Sequence, residues 1–305
     1  MIRYFLRRLR QALVVCLGIS VITFVLLFVA GDPIHLLLPV EASKADIQLL
    51  REKLGLDRPW PLQYGHFVAG MLRLDFGTSL FVEEPALALV LERMPATIEL
   101  TLAGLAVALL IAIPLGVVSA VKRFSIWDNL ATVTALTGQA MPAFWLGIML
   151  IILFAVSLRW LPASGRGGWE HLILPALTLG AFQAPITMRL TRSGMADVLS
   201  QDYVRTARSK GVAERGVLWR HALRNAAIPV VTILGLQFGR LMGGAIVTET
   251  VFAWPGVASL AVKSIQNYDY PVVQASVVLL ALIIVVANLL VDLAVAGLDP
   301  RIRLE

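Results

Sequence analysis

The chain has 305 residues, of which 58% are hydrophobic and only 15% charged, with a net charge of +6 and a mean hydropathy of +0.80. A soluble domain of this length carries nearer a quarter charged residues, so the composition excludes an ordinary soluble globule and assigns the chain to lipid. The single cysteine, Cys16, excludes internal disulfides and thiolate metal sites, and His35, His66, His171 and His221 are scattered without ligand spacing.

A helix needs about 20 mainly apolar residues to cross a bilayer. Uncharged apolar stretches occur at 11–31, 100–121, 129–158, 171–188 and 270–291, and a sixth, 226–251, is broken only by Arg240 and Glu249. The expectation is an all-α integral membrane protein with six transmembrane helices. Arg3, Arg7, Arg8 and Arg10 precede the first span. Loops on the same side hold Lys122 and Arg123, the basic residues between Arg189 and Arg224, then Arg301 and Arg303; the opposite short loops hold only Arg159, Arg166 and Lys263. This asymmetry places both termini in the cytoplasm, and it accounts for the basic excess without nucleic acid. Val29-Ala30-Gly31 loosely matches a signal-peptide cleavage site, but the apolar run before it is too long for an h-region, so an uncleaved first helix is expected.

The resulting organisation is a cytoplasmic N-terminus and first span at 1–31, an external segment at 32–95, five further spans within 96–298 that include a cytoplasmic loop at 193–228, and a cytoplasmic tail at 299–305. In the external segment, ASKADIQLLREKLGLDRP reads as an amphipathic helix with Ile47, Leu50 and Leu54 on one face, Gly55 as a stop and Pro59 beyond. RLDFGTSL follows as a turn-rich stretch. A cap over the spans and a docking surface for an external partner both fit this segment.

The loop DYVRTARSKGVAERGVLWRHALRNAAIPV is strongly basic in a chain this apolar. Met195, Val198, Leu199, Tyr203 and Ala207 fall at helical spacing, while Arg205 and Arg208 point elsewhere. Gly211 is the expected helix stop, and a second short helix at 214–225 leads to Pro229 in the first turn of the fifth span. A helix, a glycine break and a helix can press into a groove on another protein, with arginines pairing acids around it. A basic juxtamembrane helix lying on anionic lipid is the alternative.

In the fifth span Gly235, Gly239 and Gly243 recur every four residues and define a face for close helix packing, in another subunit or in this one. Arg240 lies between them, and a charge near a span's centre costs roughly 2.5–3.5 kcal/mol on insertion scales, so it should face a cavity or a partner. Gln139, Gln183 and Gln237 are further candidates for a wet path. Trp254-Pro255-Gly256 reads as a break at the outer end of this span, either an external gate or an ordinary turn.

DYVRTARSKG together with LRNAAIPVV resembles the cytoplasmic coupling loop of ABC importer permeases, and more narrowly the peptide/nickel family of the dipeptide-permease B type. Arg205-Thr206-Ala207 stands where the broad consensus has Glu-Ala-Ala, Gly211 is kept, and Ile228-Pro229 lies further on than the general spacing, as in the peptide branch. GDP (31–33), LGLDRP (54–59), LDFGTSL (74–80), WLPASG (160–165), HLILPALTLG (171–180), VFAWPGV (251–257), DYPVVQ (269–274) and LDPRIR (298–303) are similar to the same family in order and spacing. The resemblance implies a type I importer permease fold, a second permease, two cytoplasmic ATPases that bind ATP and magnesium, and an external substrate-binding protein. It also implies that the stretch opened by Asp202 and closed by Gly211 transmits ATP-driven closure to the spans, with Ala207 and Gly211 allowing close approach and Arg205 and Arg208 making charge contacts.

The chain has no Gly-Lys dipeptide and hence no Walker A loop, so a transport subunit without its own ATPase activity or cofactor is expected. Short peptides are the expected cargo. Glutathione or a nickel chelate is the alternative, since GGWEHLILPA and LDPRIR are as similar to nickel importers. A stand-alone ion-coupled transporter would need acids buried in several spans, whereas Glu249 and Asp292 lie at span ends. An intramembrane enzyme would need a nucleophile–base pair or metal ligands in the helices, and the sequence shows neither.

Overall fold

A computed structural model describes residues 10, 13–25, 34, 43–53 and 55–298. Arg3, Arg7, Arg8, Arg301, Arg303, His35, Leu54, the GDP turn at 31–33 and the outer part of the first predicted span lie outside the described residues. Within them the regular secondary structure is helical, apart from an isolated antiparallel bridge between Thr78 and Pro85.

The helices, in chain order, are α1 (Leu13–Val25), α2 (Lys44–Lys53), α3 (Trp60–Arg73), α4 (Ala86–Val121), α5 (Ile126–Ala140), α6 (Ala143–Ser157), α7 (Glu170–Leu199) and α8 (Asp202–Ser209). They continue with α9 (214–226, its middle a π-helix at Val217–Ala222), α10 (Ile228–Val251), α11 (Val257–Gln266) and α12 (Tyr270–Leu298). Four are long and apolar enough to cross a membrane: α4, α7, α10 and α12 over Tyr270–Val291. The pair α5 and α6 makes a fifth if taken as one span, and α1 is a shorter apolar helix.

Three sequence expectations change. The stretch 129–158 is not one helix: α5 and α6 meet at 102°. Pro142 causes the break, because its ring pushes the preceding residue out of the helical region, and Met141 accordingly sits at φ −88° and ψ 135°. The helix of the second span begins at Ala86 and runs through Pro95, well before the apolar stretch at 100–121. The fourth continues through Arg189 and Arg192 to Leu199, with Pro175 and Pro185 inside it. An apolar environment favours a continuous helix, and neighbouring helices absorb the prolines.

Packing divides the chain into two compact units, Met1–Thr97 with Pro255–Val285, and Ile98–Trp254 with Val286–Glu305. In the first, Ser43 and Asp46 cap α2 reciprocally: Ser43 Oγ donates to the Asp46 carboxylate at 2.6 Å and the Asp46 amide to Ser43 Oγ at 3.2 Å. Gly55 follows with φ +68°, as its reading as a stop requires. The turn at 74–85 is pinned by Asp269, whose buried carboxylate accepts from Ser79 Oγ at 2.5 Å and from the Leu80 amide at 3.2 Å.

The second unit is built around α7, which α5, α6 and α10 contact. Small residues permit this. A Cβ on Gly138 of α5 would lie 2.7 Å from the Ala181 carbonyl oxygen, and the core there is Ala112, Ala131, Ala135, Ala184 and Met188. Asp128, buried in the first turn of α5, accepts from Ser119 Oγ, from the Phe124 amide at 2.9 Å and from Arg192 of α7 at 2.8 Å. These contacts tie the 122–125 corner to the helix that continues toward the basic loop.

Candidate coupling loop

The basic loop is folded, and its apolar residues explain how. The predicted helix from Met195 to Gly211 is split: α7 ends at Leu199, Gln201 is extended (φ −81°, ψ 151°), and α8 restarts at Asp202. The Ser200 hydroxyl donates to the Asp197 carbonyl at 2.7 Å, a local bond that competes with helix propagation. Past this break Val204 and Ala207 turn inward onto Val217 of α9, with Val198 and Leu199 packed against them. Met195 in turn packs with Ala222 and Ala226, and with Val117 and Ala120 of α4. The loop therefore rests on the ends of two spanning helices through a continuous apolar contact.

Gly211 closes α8. Its φ is +76°; its amide donates to the Arg208 carbonyl at 3.0 Å, and the Val212 amide donates to the Ala207 carbonyl at 3.2 Å. That pair of bonds is the Schellman arrangement, which puts C′ in the left-handed region. Nothing lies within 4 Å of a Cβ placed on Gly211, so within this chain glycine is required for its backbone angle.

Two polar contacts hold α8 to α9, and neither Tyr203–Asn225 nor Arg208–Glu214 was foreseen as a pair. The Asn225 amide donates to Tyr203 Oη at 2.7 Å, and the Arg208 guanidinium donates to both Glu214 oxygens at 2.6 and 3.1 Å. These hydrogen bonds hold the Glu214 carboxyl below its ordinary value and raise the Arg208 guanidinium above its own. Periodicity carries no trace of a pair that spans a glycine turn. The sequence hint was the opposite charge of Arg208 and Glu214 on either side of Gly211.

The predicted residues thus divide. Asp202 and Arg205 are highly exposed and 3.6 Å apart on the outer face. Arg208 is half-exposed and committed to Glu214, while Ala207 provides its close approach inside the loop. Lys210, Arg215, Arg220 and Arg224 are also exposed, leaving a basic surface over an apolar underside.

The transmembrane candidates separate as well. Gln183 and Gln237 are buried where α7 meets α10, and Gln237 Nε2 donates to Thr187 Oγ1 at 2.7 Å. Helix packing encloses them in a polar seam between α7 and α10. Gln139 is half-buried. A Cβ on Gly235 would lie 2.7 Å from Asn288 Oδ1 and 3.2 Å from Val291 Cβ, so this glycine packs against α12 of the same chain. Gly239 is half-buried, Gly243 has nothing within 4 Å, and Arg240 is exposed.

At the other end of α10, the chain breaks after Val251 as expected, but Trp254 is buried, and the residues after Gly256 form α11, which the sequence reading missed. The Gly165 amide donates to the Phe252 carbonyl at 2.8 Å, and Arg166 lies over the Trp254 ring at 6.0 Å while pairing with Glu99 at 2.7 Å.

Residues 112–304 match the family described as binding-protein-dependent transport system inner membrane component, and residues 1–101 match the N-terminal part of such membrane components. The chain belongs to this family. It is the permease subunit of an ABC importer, a multi-pass inner-membrane protein and not itself an enzyme. The permease is 44% identical to the glutathione transport system permease protein GsiC of Salmonella typhimurium over 99% of both chains, and equally so to that of Pectobacterium atrosepticum. It is 42% identical to GsiC of Escherichia coli K12, again over 99% of both chains. Its fold is similar to that of a chain in inward-facing conformations of the MetNI methionine ABC transporter, with a TM-score of 0.59 and 17% identity over 69% of the permease and 96% of that chain. A permease of such a system works with an ATPase and a substrate-binding protein.

Proposed function

We propose that the permease forms half of a translocation pathway for glutathione or a closely similar short peptide. A second permease forms the other half, two ATPases drive the cycle, and an external binding protein delivers the cargo. The identity to glutathione permeases along the whole chain carries this reading, because it covers spans, loops and ends alike. It favours the glutathione alternative over a broad peptide cargo.

In this arrangement six spans cross the membrane: the first near 11–31, then α4, the bent pair α5–α6, α7, α10 and α12. Both termini and the α8–α9 loop face the cytoplasm, following the distribution of basic residues, and the segment 32–95 together with the start of α4 lies outside. The exposed face of α8, with Asp202 and Arg205, together with Lys210 beyond it, meets the ATPase. Its apolar underside passes the displacement to α7 and α4 through Met195, Val117 and Ala120.

The test is uptake of radiolabelled glutathione by proteoliposomes that hold the complete transporter, with the binding protein added outside. ATP-dependent uptake that unlabelled glutathione suppresses and dialanine does not supports the cargo reading. Uptake of dialanine with no uptake of glutathione would overturn it.

A further inference from the structure

Most exposed positions on the membrane-length helices carry side chains suited to lipid. On α4 they include Leu102, Leu110 and Val118, and on α12 Leu282, Val286 and Leu290. The exposed face of α10 differs. Thr232, Leu236, Arg240, Gly243, Val247 and Thr250 recur at spacings of three and four, forming one stripe along the helix, while Gln237, Leu241, Ala245 and Thr248 are buried on the opposite side. Gly244 lies beside Gly243, and nothing is within 4 Å of a Cβ on either, so the stripe is hollow next to the arginine.

Arg240 stands at the middle of this 24-residue helix, where a guanidinium facing lipid is strongly unfavourable. It must meet water, a partner's acid or an anion. Among the described residues, Glu99 pairs with Arg166, Asp128 is buried under Arg192, and Glu249 is buried in the same helix. Among the described residues Arg240 makes no ion pair. Its fork of donors is suited to a carboxylate, which it can take with two parallel hydrogen bonds.

We infer that the Arg240 stripe of α10 faces the aqueous pathway and that Arg240 binds a carboxylate of the cargo in transit, with the gap at Gly243 and Gly244 leaving room for the peptide. This rests on the pathway reading above and adds the chemical class the path selects: small peptides with a free carboxylate. A thiol can test both halves of the inference. Cys16 is the only cysteine, so Cys16→Ser with Arg240→Cys gives a permease with one reactive position. The complete transporter in proteoliposomes is treated with aminoethyl methanethiosulfonate, which adds an ammonium, or with the sulfonatoethyl reagent, which adds an anion. In each case the thiolate forms a mixed disulfide and releases methanesulfinate.

Both water-borne reagents are expected to modify residue 240. Glutathione uptake should fall about tenfold or more in Arg240→Cys, as for a lost charge partner. The ammonium should restore a large part of it, the sulfonate none, and Arg240→Lys should exceed Arg240→Gln. Any other pattern overturns the inference. An unreactive thiol would place the stripe against lipid or a packed partner, equal rescue by both reagents would remove the charge argument, and failure of both Arg240→Gln and Arg240→Lys to assemble would assign the arginine to the subunit interface. A native complex that ignores glutathione refutes the cargo reading alone, and the same arms are then run with dialanine, which also carries a carboxylate.

Discussion

Gly211 combines a φ of +76° with open space around its Cβ position, so substitutions there are limited by backbone conformation and hardly by crowding. The left-handed region costs an ordinary residue about 1–2 kcal/mol, and asparagine less. Transport per ATP hydrolysed should therefore fall in the order Gly, Asn, Ala, Val at this position; equal coupling in Gly211→Asn and Gly211→Val would show that the turn does not need its conformation. Glu214 supports the same turn. Its carboxyl is held below the ordinary 4.5 by Arg208, so the pair's contribution is complete above that pH and is lost as pH falls through the lowered value. Both side chains are about half-exposed, so the effect should be small, on the order of 0.2–1 kcal/mol. Amide protection factors in α8, referenced to the intrinsic exchange rate at each pH, should fall on acidification through that range in the native permease, whereas Glu214→Gln should already show the lower protection at neutral pH with little further acid response.

At the scale of helices, the four-residue glycine ladder of α10 splits into positions with different physical roles. Gly235 is in contact with Asn288 and Val291, so Gly235→Leu overpacks that contact and should cost about 1–3 kcal/mol, read as a lowered Tm of the purified permease. Gly243 has empty space beside it, so Gly243→Leu should leave Tm unchanged but abolish uptake by filling the hollow next to Arg240. The reverse pattern would place the pathway on the other side of the helix. Pro142 shows the same logic in backbone form. Its effect on Met141 turns one long apolar stretch into two helices at 102°, while Pro175 and Pro185 sit inside α7 without ending it. Identical residue types have different outcomes because packed neighbours, and not the ring alone, decide whether the helix can continue.

For the whole molecule, the proposed contact between the permease and its ATPase is the α8–α9 loop. Arg205, Lys210 and Arg215 are exposed, and none of them lies in the inward-facing apolar contact of Val204, Ala207 and Val217. Reversing all three to glutamate should leave the permease extractable and folded, with an unchanged Tm, while the ATPase no longer co-purifies. Retention of the ATPase at native yield would move the contact to another surface. Co-purification should also weaken with salt in the native protein, because exposed charges beyond roughly 10 Å are screened at 0.1 M.

Much of this permease could be read in its sequence. The apolar runs identified four long membrane-length helices, since about 20 apolar residues serve no other purpose so economically, and helical spacing put Met195 and Ala207 on the inner face of the loop, where the break at Gln201 brings Val204 inward in place of Tyr203. Gly211, Gly55 and Pro229 were legible because each acts through its own backbone. What stayed hidden depends on contacts between distant residues. The bend at Met141, the run of α4 through Pro95, the burial of Gln183 and Gln237, and the separate fates of Gly235 and Gly243 follow from which surfaces meet. Composition and periodicity determined that the chain enters the membrane; only the packed structure decided which polar side chains are enclosed between helices and which, like Arg240, face outward, because burial depends on the neighbours a helix acquires as well as on its own sequence.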